Sequence, residues 1–214
     1  GTKTVAEESG RAGVERFILV SSDKAVRPTS IMGATKRMAE QVVQDLATRS
    51  KHTRFSMVRF GNVMGSSGSV IPLFEEQIAR GGPVTVTDRR VTRFFMTVSE
   101  AVRLVLLAGS SARVGDVFVL AMGEPVPILN VARQMIEGAG YSVRDENNPD
   151  GEIEIQLTGL RPGEKLHEEL LIGSDMLTTP HTKILRADES HLSEIEMAKA
   201  LNELRATIAD RGPA

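Results

Sequence analysis

Cysteine is absent from the 214-residue chain, which excludes disulfides, thiolate metal sites and cysteine nucleophiles together. A reducing compartment agrees with that absence. The expected location is the cytoplasm, or the cytoplasmic face of an inner membrane in a longer protein. Long apolar runs are also missing: none approaches the roughly 18 residues of a membrane-spanning helix, and no signal-peptide pattern opens the chain. Neither sign of charge is in excess, since 26 basic and 28 acidic side chains leave a net charge of -2. That removes the electrostatic case for nucleic acid or an anionic membrane as partner, so phosphate recognition must be local. His52, His167, His181 and His191 lack metal-ligand spacing and an acidic constellation, and no metal is expected. There is no internal repeat, no low-complexity segment and no G-x-G-x-x-G dinucleotide fingerprint.

The composition, 41% hydrophobic and 25% charged, is that of a globular protein with a real core. The chain alternates between helical and strand patterns. A helix over 3–12, with Val5, Ala6 and Ala12 inward and Gly13 as its C-cap, leads to a strand at 16–21. A helix over 30–48, carrying Met38, Ala39, Val42, Val43 and Leu46 at helical spacing, precedes a strand at 54–60. A small-residue loop, 61–69, opens a helix over 70–79 with Pro72 in its first turn. Strands at 84–87 and 94–97 follow. A helix over 99–107 comes next, capped by Ser99 and bearing Val102, Val105 and Leu106. The strand 116–120, the helix 128–137, a polar stretch at 144–151 and a half-buried strand at 152–157 lead to a glycine-containing loop, 159–165. A helix over 191–208 closes the chain. Such alternation predicts an α/β fold. The division expected is 1–125, with an insert near 62–97, and 126–214, intertwined with it. Gly1 is not a methionine and a helix begins almost at once, so the expectation is a fragment entered in the middle of a βαβ alternation.

The chemistry concentrates at Phe17-Ile-Leu-Val-Ser-Ser-Asp-Lys24. An apolar strand delivers Ser21, Ser22, Asp23 and Lys24 at its C-terminal end, where open α/β sheets place their ligand crevice. Consecutive strand residues point to opposite faces, so these groups share a pocket only if the strand is already bending. One reading is an acid/base pair of Asp23 and Lys24; the other is a solvated turn with a salt bridge. After Pro28, a helix capped by Thr29 or Ser30 carries Met32 and Lys36 one turn apart, on one face. The small residues Gly33-Ala-Thr35 let another body approach closely.

Elsewhere, Gly65-Ser-Ser-Gly68 before a helix suits a phosphate. Asn62 faces either substrate or its own Asx-turn. Arg93 and Arg161 offer paired donors to phosphate, or simply form surface salt bridges.

This region resembles the active site of extended short-chain dehydrogenase/reductases, whose strand-end Ser or Thr and Tyr-x-x-x-Lys helix hold a nicotinamide cofactor and a sugar nucleotide. Met32 stands where that family has tyrosine. With Ser22-Asp23-Lys24, the pattern is similar to the UDP-N-acetylglucosamine 4,6-dehydratase branch of bacterial capsule, O-antigen and glycan biosynthesis. The likeness continues through Arg59-Phe-Gly-Asn-Val63, Gly68-Ser-Val-Ile-Pro72, Thr92-Arg-Phe-Phe-Met-Thr97 and Gly159-Leu-Arg-Pro-Gly-Glu-Lys165, in the same order.

The resemblance implies a Rossmann-like doubly wound parallel sheet lacking its first strands, with a smaller C-terminal substrate-binding subdomain. It implies that Lys24 removes the sugar C5 proton and Asp23 protonates the departing C6 hydroxyl. Ser22, Asp23 or an ordered water would relay the C4 hydroxyl proton that Met32 cannot accept. NAD or NADP would meet Ser21, Lys36, Phe60, Gly61 and Val63, with Lys36 on the nicotinamide ribose. The UDP-sugar would meet Asn62, Ser69, Val70, Thr85, Arg93, Arg161 and Glu164, with Thr85 beside uracil and Glu164 on the ribose.

Compared with the family, the pyrophosphate and adenosine sites of the cofactor would precede Gly1, so low activity of the isolated chain is expected. An open sheet edge implies a homo-oligomer. The alternatives are a C5-inverting dehydratase, a C4 epimerase, and a non-catalytic module for nucleotide binding or oligomer contacts.

Overall fold

Helix α1 (Thr2–Arg11) leads into strand β1 (Arg16–Val20) in the computed structural model, which describes residues 1–172 and 176–211. Parallel strands need a crossover rather than a hairpin. Between β1 and β2 (Arg54–Arg59) that crossover is α2 (Ile31–Arg49), started by the Ser30 hydroxyl accepting from the Gly33 amide at 3.1 Å. The strands run in register from Arg16 opposite Arg54 to Val20 opposite Val58.

The short β3 (Asn62–Val63), α3 (Val70–Ala79), β4 (Val84–Val86), β5 (Thr92–Arg93) and β6 (Phe95–Met96) follow. Then come α4 (Val98–Ser111), β7 (Val117–Leu120), β8 (Val126–Pro127), α5 (Ile128–Gly138), β9 (Val143–Arg144) and β10 (Ile153–Leu157). Strands β11 (Met176–Thr178) and β12 (Ile184–Ala187) and helix α6 (Glu194–Arg211) end the described chain.

The main sheet has the order β1-β2-β7-β12-β11, parallel across the first three strands and antiparallel thereafter. Both faces are covered, which is why β2 and β7 read as nearly continuous apolar runs instead of alternating ones. Phe55 and Met57 pack with Ala6, Val43 and Ala47 on one face. Val58 and Phe118 pack with Ala101, Leu104 and Ala108 on the other. This is the Rossmann-like α/β arrangement. A second lobe is built on the parallel sheet β4-β10-β9, with Phe74 and Ile78 of α3 and Ile128, Ala132 and Ile136 of α5 filling its core. The two lobes interleave, because β11 and β12 return to the main sheet after the second lobe is complete.

Several local expectations change. The expected 94–97 strand shortens to β6, which pairs with β3, and a separate β5 just before it pairs with β8 in the other lobe. Thr97, not Ser99, caps α4, accepting from the Glu100 amide at 3.2 Å. Buried α4 positions are Ala101, Leu104 and Ala108, whereas Val102 and Leu106 face outward. In α1 only Ala6 is buried; Val5 and Ala12 are exposed. Small residues win these seams because they let the helix lie closer to the sheet. β11 and β12 have no strong period-2 signal, and long-range pairing alone makes them strands.

Candidate functional site

At the end of β1 the chain stays attached to its neighbour: the Ser21 amide donates to the Val58 carbonyl at 2.8 Å and the Asp23 amide to the Phe60 carbonyl at 3.2 Å. It then closes into a single 3-10 turn, Asp23–Ala25, with Ser22 as its N-cap. That turn resolves the alternation problem, since residues that would point to opposite faces of a strand now converge. The Ser22 hydroxyl donates to Asp23 Oδ1 at 2.8 Å, and Lys24 Nζ donates to the same oxygen at 2.9 Å and to Asn62 Oδ1 at 3.2 Å. The Asp23 side chain is 0% exposed, so this is not a solvated turn. Its second oxygen, Oδ2, is buried without a partner.

A cavity of about 560 Å³ opens from Lys24. Its near wall is Thr29, Ser30, Met32 and Asn62; its far wall includes Thr85, Thr87, Arg161 and Glu164. Gly68, Ser69 and Val70 bring the N-terminus of α3 to the same space. Ser69 makes no side-chain capping bond, and Pro72 has no amide hydrogen, so the first-turn amides of α3 are left for an anion. The 159–165 loop is tied across the cavity to the chain before α2. Thr29 donates to the Gly163 carbonyl and Lys165 to the Val26 carbonyl, each at 2.7 Å. Gly163 has φ +78°, and a Cβ there would lie 2.6 Å from the Thr29 carbonyl oxygen, so the close approach requires glycine.

The cavity brings together Lys24, Met32, Asn62, Ser69, Val70, Thr85, Arg93, Arg161 and Glu164. Asn62 is held by Lys24 rather than by an Asx-turn. Thr85 has its outer edge closed by Gln77, whose side-chain amide both donates to its hydroxyl at 2.7 Å and accepts from its backbone N–H at 3.0 Å. Arg93 is not a free cation: Nη2 lies 3.2 Å from Glu164 and Nε 3.7 Å from Glu168. Glu164 also accepts from Thr87 at 2.9 Å and from the Arg161 amide at 3.2 Å. The Arg161 side chain is exposed at the rim.

Other expected residues do not line this cavity. Ser22 and Asp23 stand behind Lys24. Lys36 is exposed on α2 and makes no side-chain hydrogen bond or ion pair among the described residues; it shares the face of Met32 but lies one turn further along the helix, outside the cavity lining. Ser21 is buried and donates to Glu40 at 2.6 Å, so its hydroxyl is occupied within the protein. Phe60 and Val63 pack against the core beneath β2 and α4. Gly61 lies under Phe94, whose Cβ would be 3.0 Å from an added methyl.

Two groups escaped the sequence reading. Glu168 has a side chain only 5% exposed and lies 3.5 Å from Lys24. Nothing in the sequence separates it from its exposed neighbour Glu169, which pairs with Arg27. The second group is a buried ion network behind the strand end. Arg59, wholly buried, donates to Glu40 through Nε and Nη2 at 2.7 Å each and also pairs with Glu189. Burial alone would lower the arginine's pKa and raise that of Glu189. Their mutual hydrogen bonds prevail, holding Arg59 above its ordinary value and Glu189 below.

A nicotinamide cofactor would find only part of a site here. Ile31, 86% exposed, and half-exposed Met32 offer an apolar platform at the start of α2, with the exposed Lys36 one turn on. These fit the nicotinamide-ribose end. Among the described residues no strand leads through a G-x-G-x-x-G turn into a helix, so a pyrophosphate cradle is not among them.

The family model described as polysaccharide biosynthesis protein matches residues 1–189. The capsular polysaccharide biosynthesis protein CapD of Staphylococcus aureus is 48% identical over 205 residues, covering 95% of this chain and 33% of that protein. A UDP-N-acetylglucosamine 4,6-dehydratase (inverting) of Campylobacter jejuni is 33% identical, over 82% of this chain and 48% of its own. A UDP-glucose 4-epimerase of Rickettsia canadensis is 35% identical over 82% and 49% respectively. The chain therefore spans a third to a half of these relatives.

Among solved structures, Pen from Bacillus thuringiensis superposes with a TM-score of 0.75 at 33% identity, over 94% of this chain and 66% of that one. DesIV, a dTDP-glucose 4,6-dehydratase from Streptomyces venezuelae solved with NAD and TYD, gives a TM-score of 0.67 at 20% identity, over 79% and 55%, and shares the fold. No helix among the described residues is long and apolar enough to cross a membrane. With a sheet, a strand-end turn and a cavity all lying inside the matched segment, the chain belongs to the polysaccharide biosynthesis protein family.

Proposed function

We propose that this chain carries the sugar-nucleotide half of a 4,6-dehydratase acting on UDP-N-acetylglucosamine. The observation that carries the reading is the Lys24–Asp23 contact of 2.9 Å, in which Lys24 lines the cavity and Asp23 backs it. An amine and a carboxyl group sharing a hydrogen bond can take a proton from one carbon and deliver one to a neighbouring oxygen.

NAD or NADP, held at its nicotinamide end by Met32 and Lys36, would supply hydride acceptance at sugar C4 and hydride return at C6. The chain's own residues do the proton work. Lys24 takes the C5 proton, made acidic by the C4 carbonyl. The proton for the departing C6 hydroxyl comes from Asp23 and, because Asp23 stands behind Lys24, passes through the lysine, so the C6–O bond breaks and water leaves. Asn62 fixes the lysine, and Ser22 fixes the carboxyl group. The diphosphate lies against the first turn of α3 and Arg161, with Thr85 toward the base and Glu164 toward the ribose.

A C4 epimerase has no use for the acid/base pair of Asp23 and Lys24; the C4 hydroxyl proton, which either reaction must remove and Met32 cannot accept, leaves through Ser22, Asp23 or an ordered water. The C5-inverting outcome depends on which face is reprotonated.

The test is to incubate the chain with UDP-N-acetylglucosamine and NAD or NADP, follow the loss of water by mass spectrometry, and titrate UDP by calorimetry. Asp23→Asn and Lys24→Ala should abolish the product while UDP still binds. A product formed equally well by both variants would exclude the mechanism. Nucleotide binding with no product from any form, even with the chain in excess over substrate and saturating cofactor, would instead mark a binding module.

A further inference from the structure

Among the described residues, Glu168 is the one acidic side chain of the cavity wall that contacts both Lys24 and Arg93. The wall carries a row of alternating charges: Glu164 to Arg93 at 3.2 Å, Arg93 to Glu168 at 3.7 Å, Glu168 to Lys24 at 3.5 Å and Lys24 to Asp23 at 2.9 Å. Both cations use the same oxygen of Glu168, Oε1. The other, Oε2, is buried and has no partner, although the residue lines the cavity. A carboxylate has about four acceptor positions, and leaving half of them empty in a dry wall is costly. Rotation about the terminal side-chain torsion is soft, so the spare capacity can be turned to the cavity without breaking the backbone frame.

The donors facing this carboxylate are already committed. Lys24 has Asp23 and Asn62 as well, and Arg93 has Glu164 and two backbone carbonyls, those of Thr92 and Leu166. A further donor must come from outside the protein. It must be uncharged, since a cation would meet Lys24 and Arg93. A hydroxyl is the group that fits, and the position beside Lys24 is the hexose end of the cavity under the function proposed above, on which this inference rests.

We propose that Glu168 is a specificity residue whose carboxylate accepts a hydrogen bond from a hydroxyl of the hexosyl group. It separates a sugar nucleotide from the bare nucleotide, while its other oxygen keeps Lys24 and Arg93 apart at a fixed spacing.

The experiment measures binding of UDP and of UDP-N-acetylglucosamine to the wild-type chain, Glu168→Ala and Glu168→Gln by calorimetry, with folding checked by circular dichroism. In wild type the sugar nucleotide should bind more tightly than UDP. Glu168→Ala should weaken it by roughly tenfold to a hundredfold, the range for a hydrogen bond to a charged group, and leave UDP nearly unchanged. Glu168→Gln, which keeps shape and one acceptor, should fall between.

Parallel weakening of both ligands would make Glu168 a structural residue and overturn the proposal, as would no change in either. Should Glu168→Ala not fold, monodeoxy hexosyl analogues decide. One of them should lose the same factor on wild type and a smaller one on Glu168→Gln, and an analogue series with no loser on wild type refutes the idea. If wild type binds neither nucleotide, the reading of the cavity falls and this inference with it. If it binds both and the variants discriminate as wild type does, this inference falls alone.

Discussion

Replacing Glu40 by alanine would expose how strongly the strand end depends on charges that never meet solvent. Glu40 accepts from Ser21 at 2.6 Å, from Arg59 Nε and Nη2 at 2.7 Å each, and from Arg37 at 2.9 Å. Both Glu40 and Arg59 are 0% exposed. Together with Glu189, these side chains form a neutral cluster of two guanidinium and two carboxylate groups. Removing one carboxylate leaves an uncompensated buried charge, a Ser21 hydroxyl without its acceptor, and a small void. Breaking a buried pair in this way costs about 3–5 kcal/mol, a large part of the roughly 5–15 kcal/mol that holds a typical domain folded. For a chain of this size the melting temperature should drop by roughly 6–20 °C.

Thermal unfolding followed by circular dichroism, with urea midpoints alongside, measures it. The companion variant, Glu40→Leu with Arg59→Met, removes both charges and leaves Arg37 and Glu189 paired at 3.0 Å. It should be more stable than Glu40→Ala, because no charge is stranded. High salt should leave the Glu40→Ala loss almost intact, since screening acts mainly on exposed pairs. A loss below about 1 kcal/mol, the range of surface ion pairs, would refute the assignment, and so would a double variant less stable than the single one.

Glu189 gives a pH signature: Arg59 and Arg37 hold its carboxyl below the ordinary value of 4.5 against the opposing effect of burial. Its contribution is fully present above that ordinary value and is lost as pH falls through the lower folded one. Urea midpoints across the acid range should therefore fall less steeply in Glu189→Gln than in wild type, and superimposable profiles would contradict this. Gly33→Ala would place a methyl 2.4 Å from the Lys24 carbonyl oxygen and 3.1 Å from Pro28 Cβ. It should cost about 1–3 kcal/mol in stability and weaken UDP binding by shifting the 23–25 turn; unchanged melting and affinity would show that the turn has slack. Among the described residues the outer edge of β1 has no strand partner, and Val20 is exposed on it, so self-association is expected. Sedimentation that finds only monomer at micromolar concentration would count against it.

Legibility followed sequence distance. The strand Arg16–Val20, the helix from Ile31 and its Ser30 cap were readable because each rests on neighbouring residues: an apolar run, a proline stop, a hydroxyl before a helix. Ser22, Asp23 and Lys24 were recognisable as chemistry for the same reason. Whether they converge was not, since that depends on a single 3-10 turn held to β2 by the Asp23 amide. Helical spacing put Lys36 on one face with Met32, yet Met32 lines the cavity and Lys36, one turn further along, does not. Thr97 displaced Ser99 as a cap because the hydrogen bond of β6 with β3 sets where α4 begins.

By itself, the sequence determined an α/β chain without cysteine, a polar cluster at one strand end, and a helix start whose small residues let another body approach closely. Those depend on residue chemistry and short-range periodicity. Only the tertiary structure decided that Glu168 joins Lys24 across 144 positions, that Glu189 closes the charge of Arg59, and that β11 and β12 complete the main sheet. A buried carboxylate and an exposed one are written with the same letter, and only the fold removes the water that makes them different.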